Sequence, residues 1–394
     1  MKLIPYVLSV VAAAATTGAH ADAVTDWSIK SGDVITEAKI GTPPAVRVMA
    51  IVQTAALQAV QAAQQRQGSA EAALAAAHRV ALTKLLPAQQ ALIDAAAQAA
   101  LAAIADGPAK QAGVAAGEAA ANAVLAARAD DGATTPEAYR PHTSAGVYVP
   151  TLMPAAPQWP QRKPWLMTSA SQFRPGPPPA LTSAQWARDF EEVKSLGAKA
   201  SAKRSAEQTE AARFWEYSLP AVYHGVLRSV ALQEGRDLLR NARLFAVAAQ
   251  AMDDSLIAVF DAKYHYNFWR PVTAVRNADI DGNDATQRDA AWSPLFDTPM
   301  HPEYPSAHST LASSMAVVID AERAGAALPV LATSSPTAKG AVRRWTRLDE
   351  FAREVADARV HAGIHYRSAT DTGEALGKRV GEVAVARLLR PAAP

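Results

Sequence analysis

From Pro44 to about Ala129 the larger apolar residues fall in pairs three or four positions apart: Val48 with Val52, Leu57 with Val60, Leu82 with Leu85, Leu101 with Ile104. That period puts each pair on one face of a helix. Alternation of period two does not persist anywhere in the chain, so helices rather than sheets have to supply the core. The residues between the pairs are mostly Ala and Gln, and Ala has the best helix propensity. Breaks at Gly68, Pro87, Gly107-Pro108 and Gly132 divide the stretch into a series of antiparallel helices.

Between Pro136 and Pro179 prolines crowd together and alternate with Tyr148, Trp159, Trp165 and Phe173. Proline at that density forbids helix and central strand, and so many aromatic rings predict an extended segment pinned over a helical body. Helical pattern resumes over 183–196, 205–217 and 222–263, the last with one or more interruptions, and again over 307–323, 348–361 and 369–389. The expected class is therefore all-α. A helical region spans 22–135, a wrapping segment 136–181 and a second helical region 182–394, with 22–394 forming one compact unit.

The chain has 394 residues and 49% hydrophobic content, enough to bury a large core around a cleft. Its 39 Lys+Arg against 37 Asp+Glu leave a net charge of +2, which argues against nucleic acid as a partner and makes any strong positive field a local one. With no cysteine, disulfides, thiolate nucleophiles and cysteine-ligated metals are excluded. Lys2, the apolar run from Leu3 to Ala15 and the small-x-small stretch Ala19-His20-Ala21 read as a signal peptide over 1–21. Cleavage near Ala21 would start the mature protein near Asp22, in the periplasm or outside the cell. No later stretch reaches about 18 uninterrupted apolar residues, so no membrane span is expected.

Three clusters carry chemistry. In the first, Lys263 and Arg270-Pro271 lie seven residues apart, about two helical turns, so both cations are expected on one face, with Pro271 ending the helix. In the second, Pro305-Ser306-Ala307-His308 runs into an apolar helix. Ser306 is placed as its N-cap, where the hydroxyl and the Ala307 and His308 amides can meet an anion. In the third, Arg359 ends one helix, Gly363 permits a turn, and His365 precedes the next helix. A guanidinium and an imidazole would then face one pocket. A loop over Asp279–Asp284 lacks the spacing and closing Glu of a calcium-binding loop and reads as a polar turn.

In this order and spacing the clusters resemble the superfamily of vanadium-dependent haloperoxidases and type 2 phosphatidic acid phosphatases, in particular its bacterial haloperoxidase-like branch. The superfamily pattern is Lys, six residues, Arg-Pro; then Pro-Ser-Gly-His; then Ser-Arg, five residues, His, three residues, Asp. Here Ala307 replaces the Gly, Ala358 the Ser and Ala369 the Asp. A carboxylate on the catalytic imidazole sets its tautomer, and Asp371 is the nearby candidate for that duty.

The resemblance implies an all-helical fold of paired four-helix bundles with the site between them, and two chemistries. In a haloperoxidase, His365 would ligate vanadium while Lys263, Arg270, Ser306, the Ala307 amide and Arg359 hold the vanadate oxygens. His308 would serve as acid-base, and hydrogen peroxide, halide and an organic acceptor would be the small-molecule partners. His301 and Phe260, five before the serine and three before the lysine, stand where haloperoxidases tune halide chemistry. In a phosphatase, which needs no cofactor, His365 would attack a phosphate ester and His308 would protonate the leaving group. The haloperoxidase is preferred; a secreted or periplasmic acid phosphatase, and a non-catalytic oxyanion-binding protein, remain as alternatives. A homo-oligomer is left open.

Overall fold

The computed structural model describes residues 22–389; the signal-peptide reading falls outside them. Five helices come first: α1 (Ala23–Glu37), α2 (Thr42–Gln65), α3 (Ala70–Leu85), α4 (Gln90–Ala102) and α5 (Pro108–Ala127). Their ends are written locally. Asp22 and Ser69 cap α1 and α3 by accepting from Thr25 and Ala72 amides, and Pro43 and Pro108 sit in the first turns of α2 and α5, where no amide is missed. α1 precedes the stretch in which the helical period was read. Gly113 and Gly117 of α5 lie so close to α3 that an added Cβ would come within 2.3 and 2.2 Å of the Ser69 and Ala73 carbonyl oxygens. Among the described residues, α2 is the helix long and apolar enough to cross a membrane, and 72% of its apolar window is buried inside the protein.

Then follow α6 (Ala184–Leu196), α7 (Ala206–Phe214), α8 (Pro220–Ala231), α9 (Leu238–Tyr266), α10 (Pro271–Arg276), α11 (Ala307–Arg323), α12 (Leu348–His361) and α13 (Arg367–Ala384). The helical pattern over 222–263 thus breaks once. One antiparallel hairpin, β1 (Leu331–Ser334) with β2 (Val342–Trp345), joins α11 to α12; its strands of four residues are too short to register as a period. The 29-residue α9 packs on α2 at one side and on α11 and α13 at the other. Phe245, Met252, Leu256 and Phe260 of α9 share a core with Leu311, Met315, Ile319, Leu376 and Val380.

The proline-rich stretch runs over this body without α-helix, and ion pairs tie it down as much as rings do. Arg162 bonds Asp253 of α9 through both terminal nitrogens (2.6 and 3.0 Å). Asp254 accepts the Trp165, Leu166 and Met167 amides (2.7 to 2.9 Å), and Arg174 grips Asp261 (2.7 and 2.8 Å). Tyr148 and Trp159 are buried, while Trp165 and Phe173 lie under the guanidinium groups of Arg128 and Arg379.

Candidate active site

Lys263 lies in the last turn of α9, which stops at Asn267 in left-handed geometry (φ 48°). Arg270 is not on that helix: it is the residue before α10, with Pro271 in that helix's first turn. The expectation of two cations on one helical face is thereby corrected, because Pro271 starts a helix here and a three-residue turn separates the two side chains. They still converge. The Lys263 ammonium donates to the Pro302 and Glu303 carbonyls (3.0 and 2.8 Å). Arg270 donates to the His301 carbonyl (2.9 Å), the Ile364 carbonyl (2.8 Å) and His301 Nδ1 (3.0 Å). Its Nη1 faces His365 Nε2 at 3.4 Å.

Ser306 caps α11 and its Oγ accepts from the Ser309 amide (3.4 Å) and hydroxyl (3.0 Å), which leaves the Ser306 proton free to be donated. Ala307 opens the helix and is absent from the residues with positive φ, so alanine carries the amide there without strain. Arg359 sits in the last turn of α12, Gly363 makes the turn (φ 78°), and His365 precedes α13. Arg359 donates from Nη1 to the Trp215 carbonyl, and its Nε has no partner among the described residues. His301, which Arg270 contacts, packs tilted against Phe260 with ring centroids 5.1 Å apart. His301 and His308 are half-buried, although His308 Nε2 itself is buried and unpartnered.

Lys263, Arg270 and Arg359 are 0%, 1% and 3% exposed, and none of the three forms an ion pair among the described residues. Burial, then the neighbouring Arg270, pulls Lys263 well below its ordinary pKa. Burial brings Arg270 and Arg359 down to about 10. The imidazoles of His301, His308 and His365 fall well below the usual range, through burial first and then the surrounding cations. A cluster of desolvated positive charge is costly unless an anion joins it. A small tetrahedral oxyanion fits this donor set: three cations, a serine hydroxyl, a helix N-terminus and an imidazole nitrogen.

Asp371 does not reach His365. It is half-exposed and pairs with Arg353 at 3.0 Å, because residues two apart on a helix point about 200° apart. The carboxylate on His365 Nδ1 is instead Glu303, at 2.7 Å and fully buried. Burial outweighs Arg270 and Lys263 and raises Glu303 to about 7. Sequence reasoning passed over this residue; the available signal was an acidic residue held between His301-Pro302 and Tyr304-Pro305, just before the capping serine. The Asp279–Asp284 loop spends Asp281 on Trp186, Thr286 and the Asn283 amide.

A family model described as the VCPO second helical-bundle domain matches residues 243–393, which contain all three motifs. The vanadium chloroperoxidase of Curvularia inaequalis is 26% identical over 208 residues, 44% of this chain and 34% of that protein; the chain thus spans about a third of its length. A crystal structure described as the first bacterial vanadium-dependent iodoperoxidase superposes with a TM-score of 0.81 at 24% identity, covering 93% of this chain and 96% of that one. An apo-type bacterial vanadium-dependent chloroperoxidase gives 0.73 at 18% identity, over 90% and 96%. Residues 243–393 thus resemble the second helical-bundle domain of the vanadium chloroperoxidases, and the chain shares the helical fold of the bacterial vanadium-dependent haloperoxidases.

Proposed function

We propose that this chain is an exported, vanadium-dependent haloperoxidase-like enzyme that uses peroxide to oxidise halide. The observation that carries the reading is the trio Lys263, Arg270 and Arg359, buried and in no ion pair among the described residues, near an imidazole whose Nδ1 is anchored and whose Nε2 faces Arg270. Bound vanadate would supply an electrophilic centre at which peroxide becomes reactive toward halide. The three cations would neutralise its oxygens, the Ser306 hydroxyl and the Ala307 and His308 amides would donate to them, and His365 Nε2 would hold the vanadium. One peroxide, one halide and one proton give hypohalous acid and water. His308, with a buried unpartnered Nε2 beside the cations, is the group placed to hold and move that proton.

His301, five residues before Ser306, supports this reading through the resemblance, which puts a residue that tunes halide chemistry there. Arg270 stands 3.0 Å from His301 Nδ1, and the His301 ring lies tilted against Phe260 with centroids 5.1 Å apart. The export signal rests on Lys2 and the apolar run after it.

The test compares orthovanadate-loaded protein with peroxide, bromide or iodide and a phenolic dye against vanadate-free protein with p-nitrophenyl phosphate. Dye halogenation that needs both vanadate and peroxide supports the proposal. Phosphate release that vanadate inhibits, without halogenation, makes the chain an acid phosphatase acting through His365. Silence in both assays assigns it an oxyanion-binding role.

A further inference from the structure

We propose that Glu303 is the positioning residue of His365, doing from the second motif what an aspartate four residues after the histidine does in the superfamily pattern. The proposal deepens, and rests on, the reading of the pocket as an oxyanion site faced by His365 Nε2. Position 369 is alanine and fully buried, and Asp371 is engaged at the surface with Arg353. Glu303 takes up the vacated duty from across the pocket. Its Oε1 accepts from His365 Nδ1 at 2.7 Å and from the Tyr366 amide at 3.0 Å. Its own amide donates to the Phe268 carbonyl at 2.9 Å, and its carbonyl accepts from Lys263 at 2.8 Å. One residue therefore ties the first and third motifs to the second.

A carboxylate oxygen has only lone pairs to offer. Facing Nδ1, it places the ring proton there and turns the Nε2 lone pair toward the oxyanion pocket, while the Tyr366 amide stops the carboxylate from rotating away. The superfamily's aspartate would sit one turn along the histidine's own helix. The present arrangement needs the segment from His301 to Ser306 to be correctly folded before the histidine is oriented, so the tautomer depends on a contact between residues 62 apart in sequence.

Three variants test this: Glu303→Gln, Glu303→Ala, and Glu303→Ala combined with Ala369→Asp. Two readouts are used. Nitrogen-15 histidine NMR of the anion-free protein, with His365 assigned by its loss in His365→Ala, reports tautomer and the downfield Nδ1 proton. Equilibrium dialysis reports orthovanadate affinity. The Nδ1 proton is expected to move upfield in Glu303→Gln, with affinity reduced about 10-fold, and the alanine variant to lose up to about 100-fold. Recovery of most of that loss by Ala369→Asp supports positioning. A folded Glu303→Gln protein with unchanged tautomer, proton shift and affinity overturns the proposal. So does a loss in Glu303→Ala that Ala369→Asp leaves unmended while the tautomer stays as in the wild type. If wild-type protein takes up no orthovanadate, the oxyanion reading fails, and the NMR readout still decides the role of Glu303.

Discussion

Arg359 is a buried charge with little around it to offset it. The guanidinium is almost wholly buried, donates to a single carbonyl, and has a neighbouring cation in Arg270. Removing an uncompensated buried charge is often stabilising, whereas removing an oxyanion donor typically costs activity about 10²- to 10³-fold. Arg359→Met is therefore expected to raise the melting temperature of anion-free protein by a few degrees and to abolish the stabilisation by orthovanadate. In wild-type protein the expected stabilisation is about 2.7 kcal/mol at a hundredfold excess over Kd. Differential scanning fluorimetry with and without orthovanadate checks both; a variant that melts lower in the absence of anion would show that the charge is satisfied in some other way.

Elements set the distances between these residues. Gly373, Gly377 and Gly381 repeat every four residues along α13 and face Ser306, Thr310 and Ser314 of α11. A Cβ at Gly377 would lie 2.2 Å from the Thr310 carbonyl oxygen, a backbone atom with no room to yield. Gly377→Ala is expected to destabilise by about 1–3 kcal/mol and to weaken orthovanadate binding in parallel, because α11 and the turn before α13 carry Ser306, His308 and His365. Gly176→Ala, with nothing within 4 Å, is the control. Urea melts and dialysis on both variants give the comparison. On α9, the Asp254 carboxylate receives three consecutive amides of the wrapping segment. Asp254→Ala leaves those donors without an acceptor at about 1–3 kcal/mol or more, and accelerated amide exchange confined to 165–167 and their flanks is the expected signature. Exchange as slow as in the wild type would mean that Arg162 and the rings suffice.

At the scale of the whole molecule, acid is expected to be the chain's weak side. His78, stacked on Trp27, and His224, beside Ser28, are fully buried, and burial lowers them to about 4 and about 3. Both are neutral in folded and unfolded protein above about pH 6.5. As pH falls below that, the unfolded chain binds protons that the folded one refuses, so stability drops at about 1.4 kcal/mol per unit per group until the folded values are reached. Asp254, raised to about 6, and Glu303, raised to about 7, work in the opposite direction, so the clean readout is a single-site difference. The stability of His224→Asn relative to wild type should climb as pH falls from about 6.5 toward 3 in urea titrations. Parallel curves across that window would mean that His224 meets no desolvation cost in the folded state.

The sequence alone determined whatever depends on period, punctuation and spacing. Helix class, the breaks at Gly68, Pro87 and Gly107-Pro108, the cap at Ser306 and the turn at Gly363 were all legible, because each is written in residues adjacent or a few apart. Tertiary structure decided orientation. Only folding shows that a turn parts Arg270 from the helix of Lys263, that Asp253, Asp254 and Asp261 of α9 clasp the wrapping segment, and that the carboxylate on His365 is Glu303 rather than Asp371. The physical reason is that a side chain's direction is set by the helix that carries it, but its partner is set by which other helix packs there. A 2.7 Å contact between residues 303 and 365 leaves no periodic trace in the chain between them.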